Sequence, residues 1–263
     1  RYMAIIRLLI ACNNDYYTKG KSMLTDKHYD ELLEEAKDME SNIKYKFPGS
    51  PTQHVGSDKT NFGTTIKHDV PMISLDNSYD PEDLHKWMNN IQSEYDIGVD
   101  FSVEWKWDGI SLALKYVNGV LDRAITRGDG IEGGDVTINA KELIGVPYRL
   151  TGKYSDFTNE IRGEVMISKS DFLEVNAERV KKGLPEFANP RNASSVIRSG
   201  NNPQDIKDRR MQFRAYKLVH SKTSSAEDTE LMKELGFNVS EHIETITAIR
   251  DKVIDIITKY DML

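Results

Sequence analysis

The sequence predicts an α+β protein in which a small helical domain precedes a larger domain built on an antiparallel sheet. Apolar residues in the first part of the chain recur at helical spacing, which predicts packed helices. From residue 101 onward, apolar and polar residues alternate, as in strands with one buried face. Asn118-Gly119 joins two such segments as a tight hairpin, so these strands run antiparallel. We place the domain boundary after residue 62, which gives domains of residues 1–62 and 63–263.

A helix is predicted to begin after Thr25, a residue type that caps helix N-termini. Asp26 and Asp30 lie four positions apart on this helix and therefore share one face, with Tyr29 beside them. Two like charges so placed destabilise a helix slightly unless a cation or ligand lies between them. The simpler alternative is that both acids face water, since the helix dipole already favours Asp26 in the first turn.

The later elements follow from capping and alternation. Asp80 and Pro81 form an N-cap and a first helical position, which predicts another helix. Beyond it, strands are expected over residues 101–108, 110–116, 120–126, 161–167 and 211–219, and helices over residues 172–182, 231–235 and 246–260.

The composition excludes several classes of protein. With 263 residues, 38% hydrophobic and 29% charged, the chain reads as a soluble globular protein. Its one cysteine, Cys12, excludes an internal disulfide framework and a cysteine-based zinc site, and we expect a reducing, cytoplasmic setting. No apolar run is long enough for a membrane helix, and no signal peptide precedes the first helix. A net charge of −7 argues against a surface that coats nucleic acid throughout, but it allows a local phosphate-binding groove.

The most informative segment runs from Val103 to Gly109. If it is a strand, Glu104, Lys106 and Asp108 project from one polar face, which places a lysine among carboxylates. Such a lysine can act as a nucleophile, whereas the simpler alternative is a surface lysine on an edge strand. Three later segments favour the nucleophile because they add cations and an acid around a nucleotide: they are 126–130 (TRGDG), 162–164 (RGE) and 187–193 (FANPRNA).

Two other kinds of site are disfavoured. Gly128 to Gly133 match the GxGxxG pattern of dinucleotide-binding folds, but the preceding strand is the second arm of a hairpin, and the acid that should follow the next strand is missing. No GK[ST] follows these glycines, so a P-loop is excluded as well. The six histidines are scattered without metal-ligand spacing.

These segments, in this order, resemble the adenylation domain of NAD-dependent DNA ligases, which carry KxDG, TRGDG, RGE and FANPRNA motifs. Residues 15–17, 25–30, 50–56 and 72–77 resemble that family's N-terminal nicotinamide-recognising module and its join to the catalytic domain. The resemblance covers almost the whole chain. It implies a nucleotidyltransferase domain of residues 63–263 behind a helical module of residues 1–62.

The resemblance implies a chemical role for four residues. Lys106 would attack the α-phosphate of NAD to form lysyl-AMP and release nicotinamide mononucleotide, and AMP would then pass to the 5′-phosphate of a DNA nick. Only the neutral amine can attack, which nearby cations and desolvation would favour. Asp108 and Arg127 would serve the reacting phosphate and the ribose region. Glu164 would serve the ribose or its metal, for which Mg²⁺ is the natural choice.

The resemblance implies binding roles for further residues. Ser74 and Leu75 would border the adenine, Glu104 would read its amino group and Tyr216 would lie under the ring. Arg191 and Arg198 would grip phosphates and nicked DNA. The positively charged nicotinamide half would be held by a group of tyrosines and acids, namely Tyr16, Tyr17, Asp26, Tyr29 and Asp30.

In the family, a DGxVIK motif and a lysine-bearing strand should come just after the last residue of this sequence, followed by OB-fold, zinc-finger and helix-hairpin-helix domains. Two explanations stay open: this chain is a piece of a longer ligase, or a second subunit completes a split ligase, which we favour slightly. We expect it to bind NAD or nicotinamide mononucleotide, to be adenylated weakly alone and to seal no nick alone. Its partners would be nicked double-stranded DNA and the missing domains or subunit, in DNA replication and repair.

Two other functions stay open. KxDG is shared with ATP- or GTP-dependent nucleotidyltransferases such as ATP-dependent ligases and capping enzymes, although the tyrosines and acids before residue 31 favour NAD. A non-catalytic ligase remnant that binds NAD or DNA ends is the alternative that is not an enzyme.

Overall fold

The computed structural model describes residues 1–19, 23–53, 64–78, 80–95, 98–199, 202–240, 242–247 and 250–260. The chain divides into two compact units. The main unit comprises Arg1–Ser74 and Trp107–Val239, and the smaller unit comprises Leu75–Lys106 and Ser240–Leu263. Within the described ranges, no helix has both the length and the apolar character needed to cross a bilayer.

Helices and strands are interspersed along the chain, with a run of consecutive strands over residues 100–134 and a run of consecutive helices over residues 169–208. The helices are α1 (Tyr2–Lys19), α2 (Asp26–Ile43), α3 (Pro81–Glu94), α4 (Thr137–Ala140), α5 (Lys169–Lys181), α6 (Pro190–Ser194), α7 (Pro203–Asp208), α8 (Ser225–Glu234) and α9 (Arg250–Tyr260), with 3₁₀ turns at Gly152–Tyr154 and Ser195–Arg198. The strands are β1 (Thr65–Lys67), β2 (Asp100–Glu104), β3 (Ile110–Val117), β4 (Val120–Thr126), β5 (Glu132–Gly134), β6 (Asn159–Met166), β7 (Gln212–Leu218) and β8 (His242–Thr247).

Helices α1 and α2 pack together around a small apolar core that includes Ile6 and Leu9. Thr25 caps α2 as predicted, since its side chain accepts from the backbone N–H of His28.

A buried carboxylate, Glu40, ties these helices to the loop after them. It accepts from the hydroxyls of Tyr2 at 2.7 Å, Ser50 at 2.8 Å and Thr52 at 2.6 Å. Burial alone would raise the pKa of Glu40, but the hydroxyl donors outweigh it and its pKa lies below the ordinary glutamate value.

A four-stranded antiparallel sheet with strand order β4-β3-β6-β7 forms the centre of the main unit. The core lies on one face of β3, where Ile110, Leu112, Leu114 and Tyr116 are all buried. The β3–β4 hairpin turns at Asn118 and Gly119 with φ values of 49° and 69°, the left-handed conformation that a two-residue turn requires. The predicted α+β class with an antiparallel sheet is therefore confirmed.

The smaller unit is built on the β2–β8 pair and helices α3 and α9. Its core contains Met88 of α3 with Val253 and Ile256 of α9. The predicted start of α3 is confirmed, because the Asp80 side chain accepts from the backbone N–H of Glu82 at 2.8 Å.

Three predicted boundaries are wrong. The helix expected over residues 231–235 begins at Ser225, after the cap Ser224, and the other two errors lie in the smaller unit. The strand expected over residues 101–108 ends at Glu104, where its pairing with β8 also ends. Lys106 and Asp108 therefore do not share a strand face with Glu104, because alternation is kept only where a paired ladder holds the chain extended. The helix expected from residue 246 begins at Arg250, since Ile246 and Thr247 complete β8 against Phe101 and Asp100.

Candidate active site

Two predicted site residues from distant segments meet in the main unit. An Nη of Arg191 donates to Asp108 Oδ1 at 3.2 Å, although 83 positions separate them. Arg191 stands at the start of α6, which Asn189 caps by accepting from the backbone N–H of Asn192. The Arg191 side chain is 18% exposed and Asp108 is 69% exposed. The FANPRNA loop thus presents a largely buried cation to the carboxylate of the KWDG segment.

Glu164 and Arg127 both contact Ser111 on the central strand β3. Ser111 and Glu164 face each other across β3 and β6, and the Ser111 hydroxyl donates to Glu164 Oε2 at 2.7 Å. Glu164 itself is buried. The backbone N–H of Arg127, just past the end of β4, donates to the Ser111 carbonyl at 3.1 Å. The side chain of Glu164 and the backbone of Arg127 are therefore both bonded to one residue of β3.

Tyr216 is the extra residue of a β-bulge. Arg162 pairs with Lys217 and Gly163 with Ala215, so no residue of β6 faces Tyr216. Such bulges redirect side chains, and here residues 216 and 217 are both exposed while Leu218 returns to the core. Tyr216 is 40% exposed, yet burial and then the charge of Glu164 raise the pKa of Tyr216 to about 12. The ring is thus partly open, which suits a flat aromatic ligand.

Residues 64–74, which we call the strap, lie against the sheet. Arg162 donates to the carbonyls of Val70 and Pro71, the latter at 3.0 Å, and pairs with Glu160 at 2.7 Å. The strap is also held by a bond from the Met72 N–H to the Gly130 carbonyl at 2.8 Å.

The strap has a further anchor at its other end. The ring of buried His68 lies 3.1 Å from the carbonyl oxygen of Thr126 and 3.2 Å from that of Arg127, measured from Nε2. Ser74, the predicted neighbour of the adenine, is exposed at the end of the strap. The chain that leads into Ser74 is therefore held by contacts at residue 68 and at residues 70–72.

The glycine cluster forms a tight loop. A Cβ on Gly128, whose φ is +60°, would lie 1.9 Å from the Glu132 carbonyl oxygen. Asp129 Oδ1 accepts from the backbone N–H groups of Ile131 and Glu132, each at 3.0 Å. Strand β5 follows the loop, and no helix starts there. This agrees with setting aside the dinucleotide-binding pattern, because that pattern needs a helix N-terminus after the glycines.

The smaller unit carries three predicted site residues. Glu104 ends β2, is half-buried and accepts from the Ser102 hydroxyl at 3.0 Å. Lys106 is exposed two residues later and is the last residue of this unit before the chain enters the main unit at Trp107. Leu75 is 74% exposed.

The remaining predicted residues are only partly described. Tyr29 and Asp30 are half-buried on α2, and Tyr29 packs against the core of the two N-terminal helices. Tyr16 and Tyr17 belong to α1 and Asp26 begins α2, but their side chains lie outside the described part of the structure. Arg198 ends a 3₁₀ turn and is half-buried.

Sequence reasoning missed Ser111, Arg162 and Arg214 as members of this region. Arg214 stacks on Trp107, with 4.8 Å from the guanidinium carbon to the ring centre, and donates to the Val239 carbonyl at 3.4 Å. The sequence could have indicated Ser111, because the alternation along β3 places it on the face opposite the core, and it follows Asp108 by three residues. Arg162 and Arg214 had only their alternation with core residues, which does not distinguish them from surface arginines.

Comparison with known proteins gives two family matches. Residues 60–262 match the family described as the NAD-dependent DNA ligase adenylation domain. Residues 1–56 match the family described as the DNA ligase-like, N-terminal NAD+-binding domain.

Curated relatives are similar over most of this chain. A protein named DNA ligase from Petrotoga mobilis is 35% identical over 234 residues, which are 87% of this chain and 35% of the relative. A DNA ligase from Thermotoga petrophila is 36% identical over 92% of this chain and 36% of its own length. A DNA ligase from Porphyromonas gingivalis is 36% identical over 94% of this chain and 37% of its own length. The chain thus spans about a third of the length of these relatives.

Proposed function

Because the chain belongs to the NAD-dependent DNA ligase family, we propose that it forms the adenylating part of such a ligase. Lys106 Nζ attacks the α-phosphorus of NAD, so that an N–P bond forms as the P–O bond to nicotinamide mononucleotide breaks, and the amine loses its proton to solvent. The AMP then passes to the 5′-phosphate of a DNA nick. The observation that supports this proposal is the Arg191–Asp108 pair of the main unit, which joins a cation of the FANPRNA segment to the acid of the KWDG segment.

The residues of the main unit are suited to positioning and charge stabilisation, which are what phosphoryl transfer chiefly requires. Arg191 and Arg127 supply positive charge for the phosphates. Buried Glu164 is a fixed acceptor for ribose hydroxyls, and the partly open ring of Tyr216 is a platform for adenine.

The described residues would hold a divalent ion only together with phosphate groups of the substrate. Among the described residues, no group of three or more histidine, cysteine, aspartate or glutamate side chains could hold a metal. Mg²⁺ does not require such a group, because it is bound through one or two carboxylates and substrate phosphates. Asp108 or Glu164 would hold it, and the ion would neutralise charge on the phosphates.

We propose residues 1–62 as a module that recognises the nicotinamide half and residues 63–263 as the adenylation domain. Tyr29 and Asp30 on α2 are suited to a positively charged ring. Nicked double-stranded DNA is the proposed partner, together with further domains or a second subunit.

The test is transfer of label from NAD carrying ³²P in its adenylate half, with and without Mg²⁺. We expect an acid-labile adduct on the chain that maps to Lys106. Lys106→Arg keeps the positive charge but removes the primary amine, and we expect it to abolish the label. Lys115→Arg is the matched control, since Lys115 lies on β3 and pairs with Asp69, and its labelling should match that of the wild type.

Other outcomes would contradict the proposal in distinct ways. Label from ATP and none from NAD would indicate an ATP-dependent nucleotidyltransferase. NAD binding with no covalent adduct, in the presence of Mg²⁺ and a candidate partner subunit, would indicate a non-catalytic binding module.

A further inference from the structure

We propose that Ser111 is a positioning residue for NAD, because its hydroxyl holds the Glu164 carboxylate in the orientation that receives the ribose. This inference rests on the proposed function, in which Glu164 binds the ribose region. Ser111 does not itself need to touch the nucleotide.

The Ser111–Glu164 contact is well placed for this role. The two residues face each other across the two central strands, and the hydroxyl donates to Glu164 Oε2 at 2.7 Å. A buried carboxylate needs donors to offset its lost hydration. A donor on the rigid neighbouring strand also restricts the side-chain rotamers that Glu164 can adopt. The oxygen positions are thus set before any ligand arrives.

Ser111 also contacts the loop that carries Arg127. Its carbonyl accepts from the Arg127 backbone N–H at 3.1 Å, immediately after β4 ends. One residue of β3 therefore bonds an acid through its side chain and the start of the TRGDG loop through its backbone. The relative placement of Glu164 and Arg127 depends on this position of the sheet.

The Tyr216 phenol shares this environment. Burial and then the charge of Glu164 raise the pKa of Tyr216 to about 12, so the carboxylate acts on the phenol. The acid proposed for the ribose and the ring proposed for the adenine therefore belong to one electrostatic environment. An adenosine group has both parts at a fixed separation, so an acid held in one orientation beside the ring favours its binding.

The Ser111 hydroxyl lies outside the apolar core. The core face of β3 is formed by Ile110, Leu112, Leu114 and Tyr116, and Ser111 lies on the opposite face, half-buried. Alanine occupies the next position on that face, at Ala113. Ser111→Ala should therefore keep the fold, with a loss of stability because Glu164 loses a donor.

The experiment measures self-adenylation of the full chain at varied NAD, together with NAD binding by calorimetry. For Ser111→Ala we expect the KM and the Kd for NAD to rise about five- to twentyfold, while the rate at saturating NAD stays within about twofold. Ser111→Thr keeps the hydroxyl and should restore the KM. In a Glu164→Gln background, Ser111→Ala should add less than about twofold, because the group through which it acts is already lost.

Tyr116→Phe is the matched control. It also removes one hydroxyl from β3, the one that donates to the Pro147 carbonyl, but on the core face. We expect it to leave the KM for NAD unchanged. If the wild type is labelled but Ser111→Ala leaves the KM for NAD unchanged, the Ser111 inference alone is overturned. The same follows if Ser111→Ala raises the KM in the Glu164→Gln background by as much as it does in the wild type. A wild-type chain that neither binds NAD nor is labelled would overturn the proposed function, and this inference with it.

Discussion

Replacing Arg162 by alanine should destabilise the main unit more than any exposed arginine substitution. The side chains of Arg162 and Glu160 are 6% and 7% exposed, with 2.7 Å between Nε and Oε1. The guanidinium also donates to the carbonyls of Val70 and Pro71 in the strap. Truncation leaves a buried carboxylate without its cation and two carbonyls without their donor.

The expected loss follows from that geometry. Removing one partner of a buried ion pair costs about 3 to 5 kcal/mol, because the other charge stays desolvated. The matched control is Arg123→Ala. Arg123 pairs with Asp135 at the same 2.7 Å, but its side chain is 51% exposed, so its loss should cost about 0.2 to 1 kcal/mol.

Urea unfolding followed by far-UV circular dichroism measures both variants. At about 2 to 4 °C per kcal/mol, Arg162→Ala should also lower the Tm by about 6 to 20 °C. A loss below about 1 kcal/mol, as expected for Arg123, would refute the reasoning, since it would mean that Glu160 needs no fixed cation.

A double variant separates the charge from the anchoring. Glu160→Met with Arg162→Met replaces the pair by apolar groups, which is often neutral or stabilising in buried sites. It should recover most of the stability lost in Arg162→Ala. It still removes the donors to the strap, so we expect a raised KM for NAD through a less restrained Ser74. Recovery of both stability and KM would mean that Arg162 does not anchor the strap.

The other two predictions concern local packing and pH. Glu40→Gln should cost about 1 to 3 kcal/mol, because hydrogen bonds to a charged group are lost, whereas Glu34→Gln on the exposed face of α2 should cost under about 0.5 kcal/mol. The pKa of Glu40 is lowered in the folded protein. Its stabilisation is therefore present above the unfolded value of about 4.3 and is lost as pH falls through the folded pKa. The free energies of unfolding of the wild type and Glu40→Gln should accordingly become equal at low pH. Gly163→Ala would place a Cβ 2.3 Å from the Arg214 carbonyl oxygen and 2.4 Å from the Phe213 ring, and should cost about 3 kcal/mol or more. Gly98→Ala meets nothing within 4 Å and should leave urea unfolding unchanged.

Local signals predicted much of the fold. The Asn118-Gly119 turn, the Thr25 cap and the Asp80-Pro81 start all act within four residues, so sequence alone specifies them. The end of β2 was not predictable in this way. It depends on where β8 stops pairing, some 140 positions later in the sequence. The alternation of apolar and polar residues continues through residues 105–108 although the strand has ended.

Pairwise placement within the site was also beyond sequence reasoning. The motifs predicted Glu164, Arg191 and Asp108 as site residues, and the structure shows a hydrogen bond between Arg191 and Asp108. No sequence pattern indicated the bulge at Tyr216, because a bulge appears only when the registers of two strands are compared.

The charges on β6 show where pattern-based reasoning fails and why that failure is informative. Glu160, Arg162 and Glu164 alternate with core residues, a pattern that ordinarily predicts a solvent-exposed face. All three are buried. Burying three ionisable groups on one strand is costly unless each is bonded, and here the strap and Ser111 supply those bonds. A sequence optimised only for folding would place apolar residues under the strap. The Glu160–Arg162 pair is explained by the strap that it holds, and Glu164 by the ligand that we propose for it; such a local conflict between pattern and burial is expected at a functional site.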